Sequence, residues 1–169
     1  MRLTNFLVRD ALIPNLAATA TGIDPRDQTA VRAIKQQVIG EMVASLRKAG
    51  YFRDDDLQDI VKAVMRREEL GTTGIGHGIA IPHSRHQSVD RLIGTLALSR
   101  GGLPFESLDG DPVYVFFLLV SPQDRPGDHL RALEAVVRTM RDEEFVRGLR
   151  ACQTADEIWA LLENAAPGW

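Results

Sequence analysis

A histidine placed directly after a proline, in a glycine-rich stretch, is the residue of this sequence best suited to chemistry. The stretch is GTTGIGHGIAIPHSR, residues 71–85, in which His83 follows Pro82 and the apolar run GIAI. The proline ring fixes its own backbone and restricts Ile81 to an extended conformation, so the imidazole is delivered at a strand end, where α/β proteins usually place their sites. Because neutral imidazole is a competent nucleophile near pH 7, the pattern predicts His83 as a nucleophile. A hydrogen-bonded structural histidine is the alternative.

Other chemistries fit the same segment less well. A P-loop needs Gly-Lys-Ser/Thr opening a helix, and a dinucleotide-binding turn needs a strand before it and a helix after it, the reverse of the order expected here. His77, His83 and His86 are close in sequence, but no cysteine or nearby carboxylate completes a metal-ligand set. Ser84 lacks the G-x-S-x-G turn of a serine hydrolase. A metal-binding or ligand-sensing module is kept as an alternative.

Hydrophobic periodicity predicts the elements that must position these residues. Helices are expected at 29–48, 55–68, about 129–141, 142–151 and 155–164. Buried strands are expected at 78–81, 92–99 and 113–120. Asp55 with Gln58 resembles a capping box, and Asp128 is the expected N-cap of the third helix. Helices before, between and after buried strands indicate an α/β layered fold.

Composition limits the class of protein. With 169 residues, of which 44% are hydrophobic and 25% charged, the chain is expected to form a single domain, 1–169. A net charge of −3 argues against nucleic acid as a partner, because duplex binding needs a basic face. Cys152 is the only cysteine, so no intrachain disulfide can form, and we interpret it as a structural thiol. No run approaches the roughly 20 apolar residues of a membrane span, and no signal peptide is evident, so a cytoplasmic protein is expected.

The segment LGTTGIGHGIAIPHSR resembles the phosphohistidine signature of the type-2 enzyme IIA domains of the sugar phosphotransferase system, which comprise the fructose and mannitol domains and their nitrogen-regulatory relatives. The opening DALIPNLAATATGIDPRDQTAVRAI, the spacing from Arg67 to His83, and the DHL before the third long helix are also similar. The resemblance covers nearly the whole chain. One departure is Ser84, where members of the family often have Gly, Ala or Cys.

The resemblance implies a mixed β-sheet with helices on both faces and a phosphoryl relay that needs no cofactor or metal. In that relay His83 accepts a phosphoryl group from phospho-HPr or its nitrogen-branch counterpart, His129 is the second active-site histidine, and Arg67 binds the phosphoryl oxygens. His77 and His86 are expected in a loop or at the rim. A cradle for the phosphoryl group is expected from Thr73, Gly74, Gly76 and Ser84.

The same resemblance implies a partner downstream of His83. The recipient would be a separate IIB component in sugar uptake, or a target protein regulated by the phosphorylation state. A free-standing chain with the IPNLAAT opening favours the nitrogen-regulatory type, and the fructose- or mannitol-class relay stays open as the alternative.

Overall fold

A five-stranded mixed sheet forms the centre of the protein. The computed structural model describes residues 1–165. The strands are β1 (Gly74–Gly76), β2 (Ile79–Ala80), β3 (His83–Arg85), β4 (Ile93–Leu103) and β5 (Val113–Ser121). The helices are α1 (Gln28–Lys48), α2 (Leu57–Leu70), α3 (Pro126–Thr139), α4 (Glu143–Ala151) and α5 (Ala155–Glu163), and short 3₁₀ turns occupy Leu3–Asn5, Arg9–Ala11 and Asp54–Asp56.

Strand β5 contributes to the apolar cores on both sides of the sheet, because both of its faces are buried. Phe116, Leu118 and Val120 pack on one side of the sheet with the apolar faces of α1 and α2. Val115, Phe117 and Leu119 alternate with them and pack on the other side with α3, α4 and α5. Because successive side chains of a strand point to opposite faces of the sheet, a continuous apolar run packs into a core on each side. The predicted α/β fold with helices on both faces is confirmed.

Two short strands lie end to end along one edge of β5. Ile79 and Ala80 pair in parallel with Val115 and Phe116, and His83 resumes the pairing opposite Leu119 without a change of register. Strand β4 pairs antiparallel with the other edge of β5, and β1 pairs antiparallel with β2. Pro82 therefore lies in the break between β2 and β3, which are aligned along the same edge of β5, and His83 is the first residue of β3.

Two predicted helix starts were wrong. Helix α2 begins at Leu57 after a 3₁₀ turn, and no side-chain bond caps it, so the Asp55–Gln58 capping box is absent. Helix α3 begins at Pro126 rather than after Asp128, because proline has its backbone angle preset for the first helical position. Asp128 lies in the first turn and forms ion pairs with the side chains of Arg125 and Arg131 instead of capping the helix.

Two further observations concern membranes and Cys152. Within residues 1–165, no helix has the length and apolar character needed to cross a bilayer. Cys152 is buried at the end of α4, with its thiol directed at the Gly148 carbonyl. Burial raises the pKa of that thiol, so it is a poor nucleophile, in agreement with the structural interpretation.

Candidate active site

A cleft of about 730 Å³ lies between the ends of the parallel strands and the first turns of α3. It brings together His83, His129 and Arg67, three residues that are far apart in the sequence. Residues lining it are Arg67, His83, Ser84, Arg85, Gln123, Pro126, His129, Leu130 and Leu133. The placement at strand ends agrees with the position expected for a site in an α/β protein.

The ring of His83 is held in one orientation by the backbone before it. Its Nδ1 lies 2.7 Å from the carbonyl oxygen of Ile81, and since a carbonyl only accepts, Nδ1–H is the donor. Nε2 then carries the lone pair, and it has no hydrogen-bond partner within the described part of the chain. A neutral ring with its lone pair directed into a cleft is the form of histidine that acts as a nucleophile.

His129 is held by a residue that the sequence did not single out. Its Nδ1 lies 2.5 Å from the hydroxyl oxygen of Ser121, which is fully buried at the end of β5. The hydroxyl has no other partner among residues 1–165, so its proton goes to Nδ1, because an unsatisfied buried hydroxyl is costly. Nε2 of His129 therefore carries the ring proton. The centroids of the two histidine rings lie 5.2 Å apart, and the ring planes are tilted by 58°.

Two arginines add positive charge to the cleft. Arg67, near the end of α2, is fixed by a 2.9 Å bond from Nη1 to the Gly71 carbonyl, which leaves the rest of its guanidinium free to bind an anion. Arg85 lines the same cleft and was missed by the sequence analysis. Strand alternation could have found it, because residues two apart on a strand share a face and Arg85 follows His83 by two.

The predicted cradle is only partly supported by the structure. Ser84 lines the cleft, but its hydroxyl donates to the Arg85 carbonyl. The N–H and hydroxyl of Thr73 are both taken by the Glu68 carboxylate, and the N–H of Gly74 is taken by the Thr72 hydroxyl.

Gly76 lies in a different place altogether. It has a φ of +96° at the end of β1 and lines a separate groove beside α4. The prediction that the backbone of Thr73, Gly74 and Gly76 cradles the phosphoryl group was therefore wrong. The glycines instead allow the tight turn and the close approach of Ser107, which a side chain at Gly74 would meet at 2.7 Å.

The other two histidines of the segment have different surroundings. His77 lies exposed in the β1–β2 turn at a φ of +56°, as expected of a loop residue. His86 was expected in a loop or at the rim; it follows β3 outside any helix or strand, but it is buried and hydrogen-bonded on both ring nitrogens. Its Nε2 lies 2.6 Å from Asp59 and its Nδ1 lies 2.7 Å from the Ser88 hydroxyl. In the described part of the chain, no three His, Cys, Asp or Glu side chains converge as metal ligands would.

Both cleft histidines are biased toward the neutral form. Burial lowers the pKa of His83, opposed by its bond to the Ile81 carbonyl and aided by the charge of Arg67. Burial also lowers the pKa of His129 from 6.5 to about 4, and positive charge on His83, Arg85 and Arg67 adds to the effect. Desolvation is thus the main cause of the lowered pKa of His129.

These lowered pKa values predict a loss of stability in mild acid. The unfolded chain takes up protons on both histidines as the pH falls through 6.5, while the folded protein resists protonation of His129 down to about 4. The free energy of unfolding should therefore decrease as the pH falls across that window. Urea unfolding at a series of pH values checks this. A His129→Gln variant should show a shallower decrease, and an unchanged slope would contradict the assignment.

Comparison with known proteins identifies the class of the chain. The family described as "Phosphoenolpyruvate-dependent sugar phosphotransferase system, EIIA 2" matches residues 28–165. The chain belongs to this family, and it is therefore a phosphoryl carrier, as the resemblance had indicated.

Individual relatives show which members of the family this chain is similar to. A nitrogen regulatory protein of Bradyrhizobium diazoefficiens is 31% identical over 162 residues, covering 96% of this chain and 95% of that protein. The fructose-specific EIIABC component of Bacillus subtilis is 36% identical over 130 residues, which cover 77% of this chain but 20% of that protein. The crystal structure of nitrogen regulatory protein IIA-Ntr from Neisseria meningitidis superposes with a TM-score of 0.76 at 25% identity, covering 94% of this chain and 97% of that one.

Proposed function

We propose that this protein is a cytoplasmic phosphoryl carrier of the nitrogen-regulatory type, acting as a single enzyme IIA domain. It accepts a phosphoryl group on Nε2 of His83 from a phospho-HPr-type donor protein. Its phosphorylation state then controls the binding of target proteins. The observation that supports this best is the free Nε2 of His83 in a cleft that it shares with a second histidine and two arginines.

The proposed chemistry rests on the tautomers inferred for His83 and His129 from their hydrogen-bond partners. The lone pair on Nε2 of His83 attacks phosphorus, the N–P bond of the donor breaks, and the donor imidazole leaves with the bonding electron pair. Nδ1 keeps its proton, which is hydrogen-bonded to the Ile81 carbonyl, so the phosphorylated ring is cationic and is a good leaving group for onward transfer. No proton has to move on His83, and no nucleotide is needed.

The residues around His83 then stabilise the charge of the transferring group. The transition state of phosphoryl transfer is loose, with negative charge spread over three oxygens, so positioned donors supply most of the catalysis. Nε2–H of His129 is one such donor, because the centroid of its ring lies 5.2 Å from that of His83. Arg67 and Arg85 supply positive charge from the other sides of the cleft.

The extent of the similarities favours the nitrogen-regulatory type. The Bradyrhizobium diazoefficiens nitrogen regulatory protein and the Neisseria meningitidis IIA-Ntr structure are matched over 95% and 97% of their lengths. The fructose-specific protein of Bacillus subtilis is much longer, and only a fifth of it is matched. Its 36% identity still supports a second candidate, a relay that passes the phosphoryl group to a separate IIB component for fructose-class sugars.

Phosphorylation of the purified protein tests the carrier function. Incubation with phosphoenolpyruvate, enzyme I and HPr, or with their nitrogen-branch counterparts, should add one phosphoryl group by intact mass. The bond should be labile in acid and stable in base, and peptide mapping should place it on His83. No label with a donor that phosphorylates a known enzyme IIA, or a label that survives acid, would contradict the proposal.

Partner binding separates regulation from relay. Phosphorylation adds about −1.5 to −2 charges to a cleft rimmed by Leu130, Leu133 and arginines, which should change the affinity for a target protein. Calorimetry with copurifying partners should give unequal affinities for the two forms. Equal affinities, together with rapid loss of the label to a fructose-class IIB protein, would favour the sugar relay instead.

The Ser121 hydroxyl offers a separate prediction about the donor role of His129. Ser121→Ala removes the hydrogen bond that keeps the His129 proton on Nε2, so the phosphorylation rate should fall by about tenfold, the equivalent of one hydrogen bond. Stopped-flow or quench-flow labelling measures this. Ser99→Ala is the matched control, since Ser99 is a buried strand serine whose partner is the Gly102 N–H. Equal rates for the two variants would remove Ser121 from the site.

A further inference from the structure

The carbonyl of Ile81 accepts from His83 at a point where a ladder hydrogen bond is missing, so His83 has that carbonyl to itself. In an antiparallel ladder, opposed residues alternate between pairs that exchange two N–H···O bonds and pairs that exchange none. Thr73 lies opposite Ile81, one step beyond the Gly74–Ala80 pair, and the Ile81 N–H donates to the Thr73 carbonyl at 3.0 Å. This is therefore a two-bond pair, and the Thr73 N–H is expected to donate back to the Ile81 carbonyl.

That return bond is replaced by one to a buried carboxylate. The Thr73 N–H lies 3.1 Å and 3.3 Å from the two carboxylate oxygens of Glu68, and the Thr73 hydroxyl donates to the same carboxylate at 2.5 Å. The Ile81 carbonyl, left without its ladder partner, accepts Nδ1–H of His83 at 2.7 Å. The Thr73–Ile81 pair thus has one ladder hydrogen bond instead of two, and the carbonyl left over holds the Nδ1 proton of His83.

Glu68 is fixed in this position from the other side. Its side chain is 1% exposed and lies 2.9 Å from the ammonium of Lys35, whose own side chain is 5% exposed. Lys35 also contacts the Glu106 carboxylate at 2.8 Å. Glu106 has a φ of +54°, a conformation that is strained for a non-glycine residue. A buried, paired and doubly hydrogen-bonded carboxylate cannot easily swing away, so the Thr73 N–H stays committed to it.

We propose that Glu68 is a positioning residue for the acceptor histidine. By taking the Thr73 N–H out of the β1–β2 ladder, its carboxylate frees the Ile81 carbonyl to hold the proton on Nδ1 of His83 and so directs the lone pair on Nε2 into the cleft. Only the kinetic consequence of this inference depends on the proposed phosphoryl transfer. The hydrogen-bond pattern itself does not.

Paired double variants test the idea without leaving Lys35 buried and unpaired. Lys35→Met with Glu68→Met removes the ion pair and every oxygen acceptor at position 68. Lys35→Met with Glu68→Gln also removes the ion pair but keeps an amide oxygen for the Thr73 N–H. Apolar replacement of a buried pair is often neutral for stability, so both proteins are expected to fold. They differ in whether an oxygen is present to hold the Thr73 N–H.

The readout is the tautomer of His83 from imidazole ¹⁵N chemical shifts, measured above the titration range of histidine. The native protein and the Gln variant should keep the proton on Nδ1. In the Met variant the Thr73 N–H should close onto the Ile81 carbonyl, the Nε2–H tautomer should gain on the order of tenfold, and phosphorylation should slow to match. A Met variant that keeps Nδ1–H, or a Gln variant that loses it, would overturn the proposal.

A measurement on the native protein decides the matter if the Met variant does not fold. The structure requires no through-hydrogen-bond coupling between the Thr73 amide nitrogen and the Ile81 carbonyl carbon, and it requires Nδ1–H on His83. Detection of that coupling, or of a dominant Nε2–H tautomer of His83, would contradict the proposal that Glu68 positions the acceptor histidine. A correct tautomer pattern in a protein that cannot be phosphorylated would instead leave Glu68 in its role and reject the carrier function.

Discussion

His83→Ala should accept no phosphoryl group at all. The variant removes the only cleft histidine whose lone pair is free, because the Nδ1 lone pair of His129 accepts a hydrogen bond from the Ser121 hydroxyl and its Nε2 carries the ring proton. His129 therefore cannot take over as nucleophile, even though its ring is only 5.2 Å from that of His83. Intact mass after incubation with phosphoenolpyruvate, enzyme I and HPr measures the result, which we expect to equal the unlabelled control.

The control for this experiment is a histidine of the same segment outside the cleft. His77 lies in a turn with positive φ, so asparagine, which tolerates that conformation, is the replacement least disturbing to the fold. His77→Asn should be phosphorylated at the native rate. Label on His83→Ala, wherever it maps, would show that the free Nε2 is not what defines the acceptor.

Lys35→Met should destabilise the protein by about 3 kcal/mol. The substitution leaves the Glu68 carboxylate buried without its cation, and breaking a buried ion pair from one side typically costs about 3–5 kcal/mol. We expect the lower end, because Glu68 keeps its two hydrogen bonds from Thr73 and because the second partner of Lys35, Glu106, is half exposed. Urea unfolding monitored by circular dichroism gives the difference.

An exposed ion pair between the same two helices provides the comparison. Arg32 of α1 lies 2.8 Å from Glu69 of α2, with side chains 60% and 49% exposed. Pairs of this kind contribute about 0–1 kcal/mol, so Arg32→Met should change stability little. Adding Glu68→Met to Lys35→Met should recover much of the loss. Equal effects of Arg32→Met and Lys35→Met would mean that burial of the pair contributes nothing.

Sequence patterns within short stretches predicted the helices and strands around the site well. The apolar runs that became β4 and β5, the periodic faces of α1 and α2, and the Pro82–His83 step are properties of short stretches, and each was found where it was expected. The Pro82 step succeeded because proline restricts the backbone on both sides of itself, whatever surrounds it.

The parts that failed depend on contacts between distant segments. The backbone N–H of Thr73 looked free to bind an anion, but its acceptor is the carboxylate of Glu68, and which carboxylate lies there is decided by how α2 packs. His86 was expected in a loop or at the rim, but its burial and its hydrogen bond to Asp59 of α2 were not predicted. Ser121 entered the site because β5 ends beside the first turn of α3. Periodicity assigns a face to such residues, but it does not assign their partners.

The unbroken register on either side of Pro82 limits how this segment can change. Ile79 and His83 pair with Val115 and Leu119 of β5 in one continuous register, so the sheet fixes the number of residues between them. One inserted residue would turn the histidine to the opposite face of the sheet, and two would keep the face but carry it roughly 7 Å along the strand, away from His129. A change in the length of this segment, in either direction, would therefore separate the two histidines.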